Sequence, residues 1–292
     1  MGLKKFFNNL LYLSKINLQQ QELEDVIAQK QFDEIVIEAV DCIKNFKLLN
    51  IKNMDETINR LVETESSIVR FGDGELNLIM GNDIHFQKSS PELQKSLINV
   101  LSSYNEDLLI AIPKSIYSNK LNMQEIPKQF WRQNGYLYRN VIEKYINKNL
   151  TYYSSEISLF YTAYKEIDCE YYFDKLQNIW KNKDICIICG DSVFDKIKFN
   201  IFETAKSIEY CCVPAKNAYE HYGQILDNSK KIDKKKMIIG ILGPTSCVLG
   251  LDLFLAGYRF LDLGHVAKSY DWYSRKIFSI DKDALMKFFD PD

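Results

Sequence analysis

The sequence predicts an α/β fold: a Rossmann-like, mainly parallel sheet flanked by helices, with an N-terminal helical extension. Three observations carry this. From residue 66 onward, short apolar runs are continuous rather than alternating, the pattern of strands covered on both faces. Segments with helical spacing separate these runs. The 292 residues, 46% hydrophobic and 26% charged, have an ordinary globular composition and enough length for one large domain.

Taken in order, residues 1–50 read as helical. Leu23, Val26 and Ile27, then Ile35, Val36, Ala39, Val40 and Ile43, recur at helical spacing, and no Gly or Pro stands between Leu3 and Phe71. This is the expected extension, and residues 51–292 are the expected domain. Met1–Leu13 begins like a signal, but asparagines break its apolar part and no small-residue cleavage site follows. It reads as a packing helix, with docking on a membrane surface or a partner as the alternative. Expected strands are Ser67–Phe71, Leu108–Pro113, Ile185–Gly190, Ile208–Pro214, Met237–Leu242 and Phe260–Leu263. Expected helices are Glu92–Ser103, Lys128–Asn147, Glu170–Lys181, Ala215–Asp227 and Thr245–Ala256. The stretch from Ile126 to Phe173 is helix-prone and rich in aromatics, including Phe130, Trp131, Tyr138, Tyr152 and Phe160; it reads as core or as a cap over a site.

A net charge of −2 and a pI near 6.0 give no nucleic-acid footprint. The basic run Lys230–Lys236 reads as a solvated loop before a strand. Seven cysteines, five of them (Cys186, Cys189, Cys211, Cys212, Cys247) inside apolar runs, fit free thiols in a reducing cytoplasm better than a disulfide framework. Cys186-Ile187-Ile188-Cys189 matches C-x-x-C, but residues i and i+3 of a strand point to opposite faces, which argues against a zinc or redox role for that motif. No apolar stretch reaches the roughly 18 residues of a membrane span.

The chemistry concentrates at strand ends. In Arg70-Phe71-Gly72-Asp73-Gly74-Glu75 a strand-like run ends in glycine, and two carboxylates follow at i and i+2. In an open α/β sheet this is where ligands bind. Asp73 and Glu75 can hold a hard divalent cation and, through it, a diphosphate. The alternative is a plain strand-to-helix turn with Asp73 as N-cap and Glu75 in the first turn. Gly243-Pro244-Thr245-Ser246 reads either as a phosphate cradle or as an ordinary helix capped by Thr245. His265, directly after the strand-terminal Gly264, is a candidate metal ligand, acid/base or diphosphate contact, or else bonds a neighbouring loop. Asn217 can read a base or ribose, or cap a helix. His85 and His221 read as structural.

The motifs Arg70-Phe71-Gly72-Asp73-Gly74-Glu75, Val213–Ala218, Gly243-Pro244-Thr245 and Leu261-Asp262-Leu263-Gly264-His265 with Tyr270-Asp271-Trp272, in that order, resemble the GT-D-type bacterial glycosyltransferases. The resemblance covers about residues 50–280. It implies a nucleotide-sugar donor, usually a UDP-hexose, and Mn²⁺ or Mg²⁺ held by Asp73 and Glu75. It also implies a glycan or glycoprotein acceptor, His265 near the diphosphate, and a donor pocket shaped by Arg70, Gly72, Gly74, Gly243, Pro244 and Thr245. Two departures stand out. After the histidine the family commonly carries acidic residues where this chain has Ala267 and Ser269, and an arginine expected in mid-chain is replaced near Ser158-Leu159-Phe160. Asp271 is the carboxylate that can compensate.

The expectation is a cytoplasmic, metal-dependent glycosyltransferase, working at the inner face of the membrane if the N-terminal helices dock there or on a partner transferase. His265 or Asp271 serves as its general base. The missing acidic residues motivate a second reading, a non-catalytic nucleotide-binding scaffold. A metal-dependent phosphohydrolase is the third, and it lacks two-metal Asp/His clusters.

Overall fold

The computed structural model describes residues 49–118, 122–277 and 288. The expected N-terminal extension lies outside the described residues apart from positions 49 and 50. Eight strands form one sheet: β1 (Asn50–Ile51), β2 (Ser67–Arg70), β3 (Leu108–Ile112), β4 (Thr151–Ser154), β5 (Asp184–Gly190), β6 (Ser207–Val213), β7 (Met237–Ile241) and β8 (Phe260–Asp262). Their spatial order is β1-β4-β3-β2-β8-β7-β5-β6, and every pairing is parallel. All six expected strands are present with ends within one residue. β1 and β4 were not anticipated.

The helices cover both faces. One face carries α2 (Asp73–Ile79), α3 (Pro91–Ser102), α4 (Glu125–Tyr145), α7 (Tyr222–Ser229) and α8 (Pro244–Leu255). Their apolar residues Leu76, Leu93, Leu97, Ile142, Cys247 and Leu251 pack with Val69 and Ile110 of the sheet, and Ile225 packs with Ile188 and Ile238. The other face carries α1 (Met54–Glu63), the short α5 (Phe160–Ala163), α6 (Cys169–Trp180) and α9 (Val266–Ser274). There Ile58, Leu61, Phe173, Leu176 and Val266 pack with Ile68, Ile187, Ile239 and Leu261. Each such fully buried aliphatic side chain contributes about 1.5–3 kcal/mol by leaving water.

Local signals set the helix starts. Asn53 and Glu56 cap α1 reciprocally: the Glu56 amide donates to Asn53 Oδ1 at 2.8 Å, and the Asn53 amide to Glu56 Oε2 at 2.9 Å. Ser90 caps α3 with Pro91 at its first position, and Asp168 caps α6. The expected helix over Ala215–Asp227 begins later. Asn217 adopts a left-handed conformation (φ 53°), a 3-10 turn spans Ala218–His221, and α7 starts only at Tyr222. The aromatic stretch is core rather than cap. Tyr138, Tyr152, Phe160, Tyr161 and Phe173 are all buried, and β4 threads the middle of it into the sheet.

Candidate active site at the carboxyl ends of β2 and β8

β2 and β8 are neighbours, and the chain leaves them for opposite faces, α2 on one side and α9 on the other. Adjacent parallel strands with this divergence open a crevice beyond their carboxyl ends. Arg70–Glu75 and Asp262–His265 border it.

Gly72 is the N-cap of α2, so Asp73 stands at the first helical position rather than at the cap. The Gly72 amide donates to Glu75 Oε2 at 2.7 Å, which fixes the glutamate against its own helix start. Asp73 reaches solvent and Glu75 is half-buried, yet protein surrounds both carboxyls, as in the wall of a concavity. This enclosure raises the Asp73 carboxyl above the usual range, against the pull of the Asp73 and Gly74 amides. It pushes Glu75 up to about 7, with the nearby Asp262 charge adding to the rise and the Gly72 amide and Arg70 opposing it. Asp262 is itself raised by burial, with Arg70 opposing. Glu75 and Asp262 thus share one guanidinium, with Asp73 at the solvent edge of the same turn.

Arg70 is spent on structure. Its Nε donates to the Asp262 carbonyl at 2.7 Å and its Nη2 to Asp262 Oδ1 at 3.3 Å; its Nη1 donates to the Ser155 carbonyl at 3.1 Å and to Ser158 Oγ at 2.7 Å. The backbone amide of Arg70 adds a bond to Asp262 Oδ2 at 3.1 Å. The arginine therefore shapes the pocket as its floor, buckling β2, β8 and the 155–158 turn together. Gly264 lies over it with φ 48°, and a Cβ there would fall 2.0 Å from Arg70 Nη2, so only glycine fits.

Thr245 is not the cap of α8. Gly243, at φ 52°, holds the cap position and Pro244 the first turn, which moves the start of the helix upstream. Ser246 Oγ accepts the Leu242 amide at 2.9 Å, whereas Thr245 Oγ1 is fully buried without a hydrogen-bond partner. The buried Cys247 thiol is pushed up by desolvation and by the charges of Asp262 and Glu75, which sets α8 beside the carboxylates.

Asn217 does not present a free amide oxygen. Its Oδ1 accepts the Lys88 amide at 2.9 Å, and its backbone N–H donates to the Phe86 carbonyl at 2.8 Å. It thereby pins the 82–88 loop, whose Phe86 ring packs on Gly243. Gly74 meets Ile84 of the same loop. His265 is half-buried at the start of α9, its ring centroid 5.7 Å from that of Phe288. Ala267 and Ser269 are buried.

Asp271 is not placed as a base. Its Oδ1 accepts the Lys198 and Phe199 amides at 2.8 and 3.1 Å, and Oδ2 pairs with Arg275 at 3.0 Å. The carboxylate is consumed in holding the 195–200 loop. Asp271→Asn keeps the oxygen that takes both amides and is expected to leave turnover within about threefold. Asp271→Ala orphans both amides and is expected to lower stability by about 2–4 kcal/mol; parallel rate and melting measurements check this. A hundredfold loss in Asp271→Asn with unchanged melting would return Asp271 to the chemistry.

Two participants escaped the reading of the sequence. Asp262 was quoted within a motif and given no role, although a carboxylate in an otherwise apolar strand is itself a signal. The 82–88 loop carried none beyond Gly81-Asn82-Asp83.

The family model for the glycosyltransferase GT-D fold matches residues 68–284. The glycosyltransferase GlyD of Streptococcus pneumoniae is 28% identical over 231 residues, covering 78% of this chain and 28% of that protein. A probable glycosyl transferase Gly of Streptococcus gordonii is 28% identical over 273 residues, covering 89% and 39%. The chain thus spans well under half the length of these relatives. Among solved structures, the conserved domain of unknown function 1792, described as having a distinct glycosyltransferase fold, superposes with a TM-score of 0.75 at 30% identity, over 80% of this chain and 84% of that one. A glycosyltransferase of the same domain type from Streptococcus sanguinis gives 0.75 at 29% identity, over 83% and 92%. The parallel sheet, the crevice between β2 and β8, and a match running from Ile68 past His265 lead to one conclusion: this chain belongs to the glycosyltransferase family with the GT-D fold.

Proposed function

We propose that the domain is a metal-dependent glycosyltransferase that moves a hexose from a nucleotide-sugar, a UDP-sugar, to a bacterial surface glycan or glycoprotein acceptor. The observation that carries this reading is the excess of carboxyls at the β2–β8 crevice: Glu75 and Asp262 share the Arg70 guanidinium, and Asp73 stands two residues from Glu75 at the solvent edge. Hard oxygen donors with raised affinity for protons fit a divalent metal. Asp73 and Glu75 would hold Mn²⁺ or Mg²⁺, which when bound supplies Lewis-acid neutralisation of the diphosphate leaving group.

The chain's own residues do the rest. Glu75 is held in place by the Gly72 amide. The N-terminus of α8 favours the anionic diphosphate, and Thr245 Oγ1 offers it a hydroxyl with no competing partner in the protein. His265, at the start of α9, is the group we assign to take the acceptor hydroxyl proton. Among the described residues no helix is long and apolar enough to cross a membrane. We assign the reaction to the cytoplasm, with residues 1–48 contacting the membrane face or a partner transferase.

The test is a donor screen. The purified chain with Mn²⁺ is incubated with UDP-glucose, UDP-galactose, UDP-N-acetylglucosamine or UDP-N-acetylgalactosamine, and UDP release is followed with and without EDTA. EDTA-sensitive release from one donor supports the transferase. The buried Ala267 and Ser269, which lack the family's carboxylates, favour a non-catalytic nucleotide-binding subunit as the second reading. UDP that raises the melting temperature without any turnover, acceptor present, would select it.

Thr245→Val gives a sharper check. Removing an unpartnered buried hydroxyl is expected to leave stability unchanged or up by about 1 kcal/mol, while the loss of a hydrogen bond to a charged ligand raises donor KM about tenfold. An unchanged KM would remove Thr245 from the donor site.

A further inference from the structure

We propose that Cys186, Cys211 and Glu209 form a binding site for a thiophilic divalent cation, Zn²⁺ by preference, which staples the edge strand β6 to β5. The parallel register sets Cys186 opposite Glu209, Ile188 opposite Cys211 and Cys189 opposite Cys212. The two cysteines of the C-x-x-C motif face opposite ways, as strand alternation demands, and each meets a cysteine of β6. Among the described residues, a carboxylate comes within ligating distance of a cysteine pair on the Cys186 face alone. One ligand atom from each of Cys186, Glu209 and Cys211 lies within 4.8 Å of the others, the only such group of three His, Cys, Asp or Glu side chains among the described residues.

The spacing suits a metal. Cys186 Sγ and Cys211 Sγ are 3.5 Å apart. Tetrahedral Zn²⁺ with bonds of about 2.3 Å separates two sulfurs by about 3.8 Å, whereas a disulfide needs about 2.0 Å. Burial is graded: Cys186 is buried, Cys211 half-buried and Glu209 exposed. The site is closed toward the sheet and open on one side, where water can complete the coordination. Two thiolates, one carboxylate and Zn²⁺ leave one net negative charge, and the Lys236 ammonium, ion-paired to Glu209, offsets it. Cys186 is the third residue of β5, so the site lies toward the amino ends of the strands, away from the crevice. β6 pairs with β5 alone and is exposed along much of its length, so it gains most from a cross-link. Soft sulfur ligands select Zn²⁺ over the Mn²⁺ or Mg²⁺ suited to carboxylates.

The full-length chain, reduced and stripped of metal, is titrated with Co²⁺ and then Zn²⁺. The expected result is one equivalent of Co²⁺ bound with a thiolate-to-cobalt charge-transfer band and tetrahedral visible bands, both erased by Zn²⁺. Cys186→Ser and Cys211→Ser lose the charge-transfer band. The paired Cys189→Ser/Cys212→Ser variant on the opposite face keeps it, and so does Asp73→Asn/Glu75→Gln, which separates this site from the crevice. Lys236→Ala weakens affinity about tenfold. Should the cysteine variants fail to fold, the exposed Glu209→Gln tests the third ligand, with affinity expected to fall at least about tenfold. No thiolate band in the reduced wild type, a band surviving in Cys211→Ser, or unchanged affinity in Glu209→Gln would each overturn the site and leave a thiol–thiol hydrogen bond in its place.

Discussion

Glu75→Gln is expected to cut metal-dependent UDP release at least a hundredfold and, above neutral pH, to make the protein more stable. Both effects have one cause. The folded chain raises the Glu75 carboxyl from its ordinary 4.5 to about 7 by enclosing it beside Asp262. Between those two values the unfolded chain has released its proton and the folded chain still holds it. Stability therefore falls as pH rises through this window, by at most about 3 kcal/mol, and less because the side chain keeps some solvent access. Glutamine cannot ionise, and its carbonyl oxygen still accepts the Gly72 amide. The melting temperature of Glu75→Gln should thus exceed that of the wild type at pH 8, with the gap closing by pH 5. Mn²⁺ should raise wild-type melting at pH 8 and leave the variant unmoved, since the cation supplies the charge that the fold withholds. Retained turnover, or identical melting across that pH range, would remove Glu75 from the metal site.

The parts of the fold that the sequence discloses are those whose neighbours do not matter. β5 is a run of isoleucine and cysteine and β7 a run of isoleucine broken by one glycine, continuous where a helix face would be periodic, and their ends are legible to within one residue. β4 is Thr-Tyr-Tyr-Ser, too short and too polar to stand out, and becomes a strand because β3 and β1 pair with it. α1, beyond the 1–50 helical reading, was not anticipated, although Asn53-x-x-Glu56 spells its capping box. The same division holds at the site. Asp73 and Glu75 stood out because glycines isolate them within six residues. The structural duties of Asn217 and Asp271 depend on loops 129 and 73 positions away, which no local pattern reveals.

Arg70→Met is expected to lower stability by about 3–5 kcal/mol, a large share of the 5–15 kcal/mol typical of a folded domain. The side chain is nearly buried and joins β2 to both β8 and the turn before α5. Removing it leaves the buried Asp262 without a cation, and an uncompensated buried charge costs more than the pair contributes. The deficit should grow with pH. Without the guanidinium, only the backbone amides of residue 70 and Gly264 oppose the rise that burial imposes on Asp262, so its ionisation works against folding wherever the unfolded chain is already ionised. Arg70→Met/Asp262→Asn removes that charge and should recover part of the loss, leaving between pH 5 and 8 only the fall that Glu75 imposes. The measurement is a double-mutant cycle by urea unfolding at both pH values. A single-variant cost under about 1 kcal/mol, or a double variant no better than Arg70→Met, would mean that the strands bordering the crevice are held by packing alone. Recovery of stability without recovery of UDP release would show instead that the charge of this pair also serves the carboxylates beside it, linking the floor of the crevice to its chemistry.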